Sequence, residues 1–112
     1  MTLLAPIIAT AETFKTIRRD IHAHPELCYQ EHRTAQIVVD QLTQMDIEVH
    51  AGIGVTGVVG VIKGLTPGAG IALRADMDAL ALEEHNQFDH VSRYGSIGNW
   101  KYDGETPFTR QN

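Results

Sequence analysis

Apolar residues recur at helical intervals at Ile7, Ala11, Phe14, Ile17 and Ile21, with Glu12, Lys15, Arg18 and Arg19 between them. This spacing predicts an amphipathic helix from about Pro6 to His22. Pro6 suits a first turn, where a missing N–H leaves nothing unpaired, and Pro25 ends the helix by disfavouring helical geometry at His24. A second stripe, Ala35, Val38, Val39, Leu42 and Met45, predicts a helix from about Glu31 to Met45, with Arg33, Gln36, Asp40 and Gln44 turned to water. The period then shortens. Ile47 to His50 alternates as a short strand does, whereas Val55 to Lys63 carries apolar side chains on both parities (Val58, Val59, Val61, Ile62), as a strand covered on both faces does. Gly64 to Gly70 is dense in Gly and Pro and reads as a turn. It leads into the apolar run Ile71-Ala-Leu73, predicted to begin a third strand over Ile71–Ala75 that pairs antiparallel with Val55–Lys63.

Charge enters where that third strand should end, at Arg74, Asp76 and Asp78. In an extended chain residues two apart share a side, so Asp76 and Asp78 could present two carboxylates together, at the kind of strand end where α/β sheets keep their ligands. Spacing alone leaves two readings open. The pair holds or orients a metal ion, or both are solvated loop residues with Arg74 as counter-ion. The connection His22-Ala-His-Pro-Glu-Leu-Cys-Tyr-Gln-Glu31 is equally two-sided. Its histidines and carboxylates could ligate a metal, or His22 could be a favourable charge at a helix end while His24 and Glu26 bond locally. No short metal signature is met.

Gly52-Ile-Gly-Val-Thr-Gly57 matches the dinucleotide fingerprint in letters, with Asp76 about twenty residues further on. That fingerprint needs a helix opening at its last glycine. Here Gly57 runs into Val-Val-Gly-Val-Ile, a strand sequence, so the glycines are expected to serve a turn instead.

Composition narrows the class further. With 112 residues the chain is one small domain or a piece of a larger one, and 43% hydrophobic against 21% charged residues is ordinary for a soluble fold. A net charge of -5 argues against nucleic-acid binding. No apolar run approaches the ~20 residues of a membrane span, and the first residues lack a cationic signal start, so no membrane association and a cytoplasmic location are expected. Cys28 is the single cysteine, which rules out a disulfide framework or a cysteine-rich zinc site within one chain.

Taken together, Ile17-Arg-Arg-Asp-Ile-His-Ala-His-Pro-Glu-Leu27, Glu31-His-Arg-Thr-Ala35, Ile47-Glu-Val-His50, Gly52-Ile-Gly-x-Thr-Gly-Val-Val-Gly60, Leu73-Arg-Ala-Asp-Met-Asp-Ala-Leu80 and Phe88-x-His-x-Ser-Arg93 resemble the hippurate hydrolase and N-acyl-amino-acid amidohydrolase family, relatives of the aminoacylase and carboxypeptidase-type di-metal hydrolases. The resemblance runs nearly continuously over about residues 10 to 93. It implies an α/β fold, here the N-terminal part of a di-metal hydrolase catalytic domain with two helices and about three strands, incomplete, over residues 1–93. It also implies an N-acyl amino acid substrate. In full-length members two divalent metals, zinc or manganese, polarise the amide carbonyl and activate water while a glutamate moves protons.

Asp78 falls on the aspartate that orients the metal site, two residues after a metal-binding histidine in the wider superfamily. Asp76 stands at that histidine's position, as in the amidohydrolase branch, which takes a ligand from a cysteine elsewhere. Family members carry that cysteine in His-Ala-Cys-Gly-His-Asp-Gly-His-Thr, whereas this chain continues as Tyr94-Gly-Ser-Ile-Gly-Asn-Trp. Cys28 is no replacement, because it lies where the family has a small residue after Pro-Glu-Leu, and Ala81 replaces a usual proline. The expectation is therefore a truncated amidohydrolase. Asp78 and Asp76 are its candidate site residues, with Asp78 in a supporting role; no metal is held and the chain is inactive alone. The alternative is a non-catalytic remnant or partial subunit that binds a full-length relative. Residues 94–112 are expected to be an unrelated, disordered tail, and self-association is expected through exposed apolar faces and an open sheet edge.

Overall fold

The structure is a computed structural model that describes residues 4–93; the tail expected at 94–112 lies outside the described residues. The element order is α1 (Leu4–Ala23), α2 (His32–Gln44), β1 (Glu48–Ile53) and β2 (Gly57–Val61). The described residues divide into two compact units, one holding α1 together with residues 80–93, the other Glu26–Ala79.

In the first unit α1 closes where Pro25 requires it. The N–H of His24 reaches back to the carbonyls of Asp20 and Ile21, both at 3.2 Å, and the Ala23 carbonyl accepts from the N–H of Arg93 at 3.1 Å. The predicted stripe is only partly covered. Ile17 and Ile21 are half-buried, whereas Ile7 and Phe14 are exposed.

In the second unit α2 starts and ends with its unpaired backbone groups satisfied. Its N-cap residue Glu31 makes no side-chain capping bond. Instead Glu26, outside the helix, accepts from the N–H groups of Arg33 (2.9 Å) and Thr34 (2.6 Å) and from the Thr34 hydroxyl (2.6 Å). At the other end Asp46 takes a left-handed φ of 56°. Its N–H bonds to Thr43 O and that of Ile47 to Leu42 O, each at 3.0 Å, which is the Schellman closure. That closure aims the chain into β1. The strands β1 and β2 form an antiparallel hairpin in the register Glu48↔Val61, Val49↔Gly60, His50↔Val59 and Ala51↔Val58, with a bulge before Ile53↔Gly57. The helix α2 packs on both strands. A β-carbon at Gly60 would lie 3.1 Å from Leu42 Cδ1 and 3.2 Å from Ile47 Cγ2, so the missing side chain is what lets helix and sheet approach.

The dinucleotide-like glycines serve this hairpin, as expected. Gly52 (φ 78°) and Gly54 (φ 58°) occupy left-handed backbone, and a β-carbon on Gly57 would run into the Ile53 carbonyl.

Two expectations need correction. The strand predicted over Val55–Lys63 forms only as β2 and pairs with β1, not with Ile71–Ala75, and the third strand does not form: Ile71–Ala75 has no regular structure, with Ile71 and Leu73 almost fully exposed. The physical reason is local. A three-residue apolar run offers little burial to offset the ordering of the Gly- and Pro-rich connection before it, while β1 needs only a three-residue turn to reach β2. The second correction concerns coverage: Val59, Val61 and Ile62 are exposed, so β2 is not buried on both faces. No large side chain among the described residues is fully buried. Among those residues no helix is long and apolar enough to cross a membrane.

Candidate functional site

The site lies in the unit Glu26–Ala79, and a tight turn begins it. The N–H of Gln30 bonds to Leu27 O at 2.8 Å, and Tyr29 takes a φ of 64°, uncommon for a residue with a side chain. This turn brings Cys28 back beside Glu31. On the far side of the chain, the N–H of Ala79 donates to Glu26 O at 2.7 Å, which ties down the residue after Asp78. As a result the Cys28 thiol and the Glu31 and Asp78 carboxylates each offer a ligand atom, all within 4.8 Å of one another.

The three groups differ in environment. Cys28 and Asp78 are exposed, whereas Glu31 is only 7% exposed. Glu31 Oε2 accepts from the buried Thr56 hydroxyl at 2.6 Å. Burial pushes the Glu31 carboxyl up, but the Thr56 hydroxyl, the backbone N–H groups of Glu31 and Tyr29 and the charge of His32 together outweigh it, leaving it below its ordinary value. It is a buried carboxylate that stays ionised.

Asp76 is not part of this group. Its Oδ1 lies 2.7 Å from an Arg74 guanidinium nitrogen and its side chain is 65% exposed. The connection histidines follow their local alternative. His24 Nδ1 sits 2.9 Å from the carbonyl of Asp20, Glu26 serves the start of α2, and His22 lies in the last turn of α1, 2.8 Å from Glu84 Oε2. Sequence reading missed Cys28 and Glu31 as neighbours of Asp78. Cys28 and Glu31 are three apart in the sequence, but nothing in spacing links them to Asp78. The Glu26–Ala79 backbone bond does so.

Three donors can surround one ion. They do not fit a two-metal centre, which needs more ligands than these, and the group includes no histidine. No step of catalysis is therefore assigned to a metal held here.

No family model matches the chain, and no solved structure matches it. Curated relatives do. The chain is 47% identical over 82 residues to thermostable carboxypeptidase 1 of Saccharolobus solfataricus, covering 72% of this chain and 21% of that protein. It is 40% identical over 97 residues to hippurate hydrolase of Campylobacter jejuni (87% of this chain, 25% of the relative). It is also 40% identical over 90 residues to N-acyl-L-amino acid amidohydrolase of Geobacillus stearothermophilus (80% and 24%). The chain thus spans about a fifth to a quarter of the length of the relatives it matches. Over that stretch it is similar in sequence to hippurate hydrolases, N-acyl-amino-acid amidohydrolases and carboxypeptidases.

Proposed function

We propose that this chain carries the Asp78-bearing part of an N-acyl-amino-acid amidohydrolase site and does not itself turn over substrate. The observation that supports this is the placement of Asp78: it sits against the buried Glu31 carboxylate, while Asp76 is taken up by Arg74. In that position Asp78 is a positioning residue. Polarising an amide carbonyl, activating water and protonating the leaving amine need a metal centre and a proton-transferring group. The described residues bring together one thiol and two carboxylates, with no second ligand set.

The test is an assay of the purified chain on N-benzoylglycine with zinc or manganese added. The expected result is no hydrolysis above background. Turnover that disappears in Asp78→Asn would overturn the reading, by showing that the chain builds a complete site.

A second reading has its own support. Ile62, Leu65, Ile71 and Leu73 are between 81% and 106% exposed along one segment, an apolar surface suited to cover by another protein. On this reading the chain is a partial subunit that binds a full-length amidohydrolase. Co-purification with such a relative is its test, and loss of the complex in a Leu65→Asp, Ile71→Asp variant is the expected control.

A further inference from the structure

We propose that Cys28, Glu31 and Asp78 bind a single thiophilic divalent cation, of the zinc and cadmium class. The inference is independent of the hydrolase reading, because it concerns binding and not turnover.

Three observations carry it. First, the donors come from separate stretches of chain, two from the turn before α2 and one from the segment after Asp76, yet their ligand atoms lie within 4.8 Å of one another. Around a tetrahedral ion with metal–sulfur and metal–oxygen distances of about 2.3 and 2.0–2.2 Å, neighbouring donors sit roughly 3.5 Å apart. Closing the group on an ion therefore asks for about 1 Å of movement. Cys28 and Asp78 are exposed and free to supply it by side-chain rotation, while Glu31 is fixed by burial and by Thr56.

Second, Glu31 is a carboxylate more than nine-tenths buried, held by the Thr56 hydroxyl and the backbone N–H groups of Glu31 and Tyr29, with His32 as a nearby charge. Buried charges are ordinarily paired or coordinate metals. The salt bridges of Lys15, Lys63 and Arg74 go to Glu12, Glu48 and Asp76. A cation at the cluster gives this buried carboxylate a directly bonded positive partner.

Third, the donor set selects the ion. A thiolate with two carboxylate oxygens suits zinc or cadmium, whereas magnesium and calcium prefer oxygen-only shells. One or more positions stay open to water.

The test uses the full chain and the metals alone. Titration with cadmium is expected to give the ultraviolet charge-transfer absorption of a thiolate–cadmium bond at one equivalent, with zinc competing and magnesium and calcium not. Cys28→Ser is expected to abolish the absorption and, followed by calorimetry, to weaken zinc binding by about 10–100-fold or more; Asp78→Asn should weaken it while keeping the absorption. Both positions are exposed, so unchanged far-ultraviolet dichroism confirms that the fold survives. Absence of the absorption, or zinc binding of equal strength in Cys28→Ser, overturns the proposal. The second outcome would place the ion on histidines elsewhere in the chain.

Discussion

Glu26 tests how α2 is held, because the cap comes from outside the helix. Its carboxylate accepts three hydrogen bonds from the first turn: the Arg33 N–H, the Thr34 N–H and the Thr34 hydroxyl. Glu26→Ala removes all three acceptors. Arg33 is exposed and can turn its N–H to water, which limits the loss there. Thr34 is 2% exposed, so its N–H and hydroxyl would be left unsatisfied, at about 1–3 kcal/mol for each such group. Cap removal in general costs roughly 0.5–2 kcal/mol, and the lost charge near the helix N-terminus adds about 0.3–1 kcal/mol. Allowing for overlap between these figures, a loss of about 2–4 kcal/mol is expected for Glu26→Ala and about 1 kcal/mol for Glu26→Gln, which keeps one acceptor oxygen. Urea denaturation followed by circular dichroism measures the loss. Amide hydrogen exchange localises it: protection at Arg33 and Thr34 should fall well before protection at Asp40–Gln44. If Glu26→Ala leaves too little folded protein, Glu26→Gln carries the same exchange test. A loss below about 0.5 kcal/mol with unchanged exchange at Thr34 would refute the remote-cap account.

Two further outcomes follow from local geometry and charge. In the hairpin turn Val55 holds a φ of 87°, a costly conformation for a β-branched residue, while Gly57 has no room for a β-carbon beside the Ile53 carbonyl. Val55→Gly should therefore be neutral or stabilising and Gly57→Ala destabilising by about 1–3 kcal/mol, measured by thermal denaturation; a reversed order would refute the turn geometry. The Glu84 carboxyl accepts from Asn86 at 2.8 Å and from the Ser92 N–H at 2.7 Å, and His22 lies 2.8 Å away; these contacts, against the opposing effect of burial, lower it from 4.5 to about 2. A carboxyl lowered on folding stabilises fully above 4.5, and that contribution is lost as pH falls towards about 2. An NMR titration of the Glu84 side chain in that range checks this, and a midpoint near 4.5 would contradict it.

The parts of the fold legible in sequence are those fixed by local rules. Both helices end within two residues of their predicted bounds because Pro25 and the apolar stripes are local signals, and Gly57 marked a turn because a strand sequence follows it. The Schellman closure of α2 was hidden, since Asp46 occupies the left-handed position where glycine is the usual signal. Pairing was harder to read. Val55–Lys63 carried no mark of which neighbour it would take, and the short-turn partner β1 won over the distant Ile71 run. Asp76 and Asp78 looked alike as an Asp-x-Asp pair. Their separation depends on Arg74 reaching Asp76 and on Ala79 bonding to Glu26, and neither contact is encoded in spacing.

Glu26 links these observations. Its side chain starts α2 and its carbonyl holds Ala79, so one residue fixes both the helix beside Glu31 and the segment carrying Asp78. Substitutions of the Glu26 side chain act on the first role directly and leave the backbone carbonyl in place. Ala79→Pro does the reverse: it removes the N–H that bonds to Glu26 O while keeping every side-chain contact of the α2 cap. That variant should therefore retain helix content and Thr34 protection while freeing Asp78 from Cys28 and Glu31. If it weakens cadmium binding as Asp78→Asn does, the backbone bond is what assembles the cluster. If binding is unchanged, Asp78 reaches the other two donors by its own flexibility, and the Glu26–Ala79 bond is structural only.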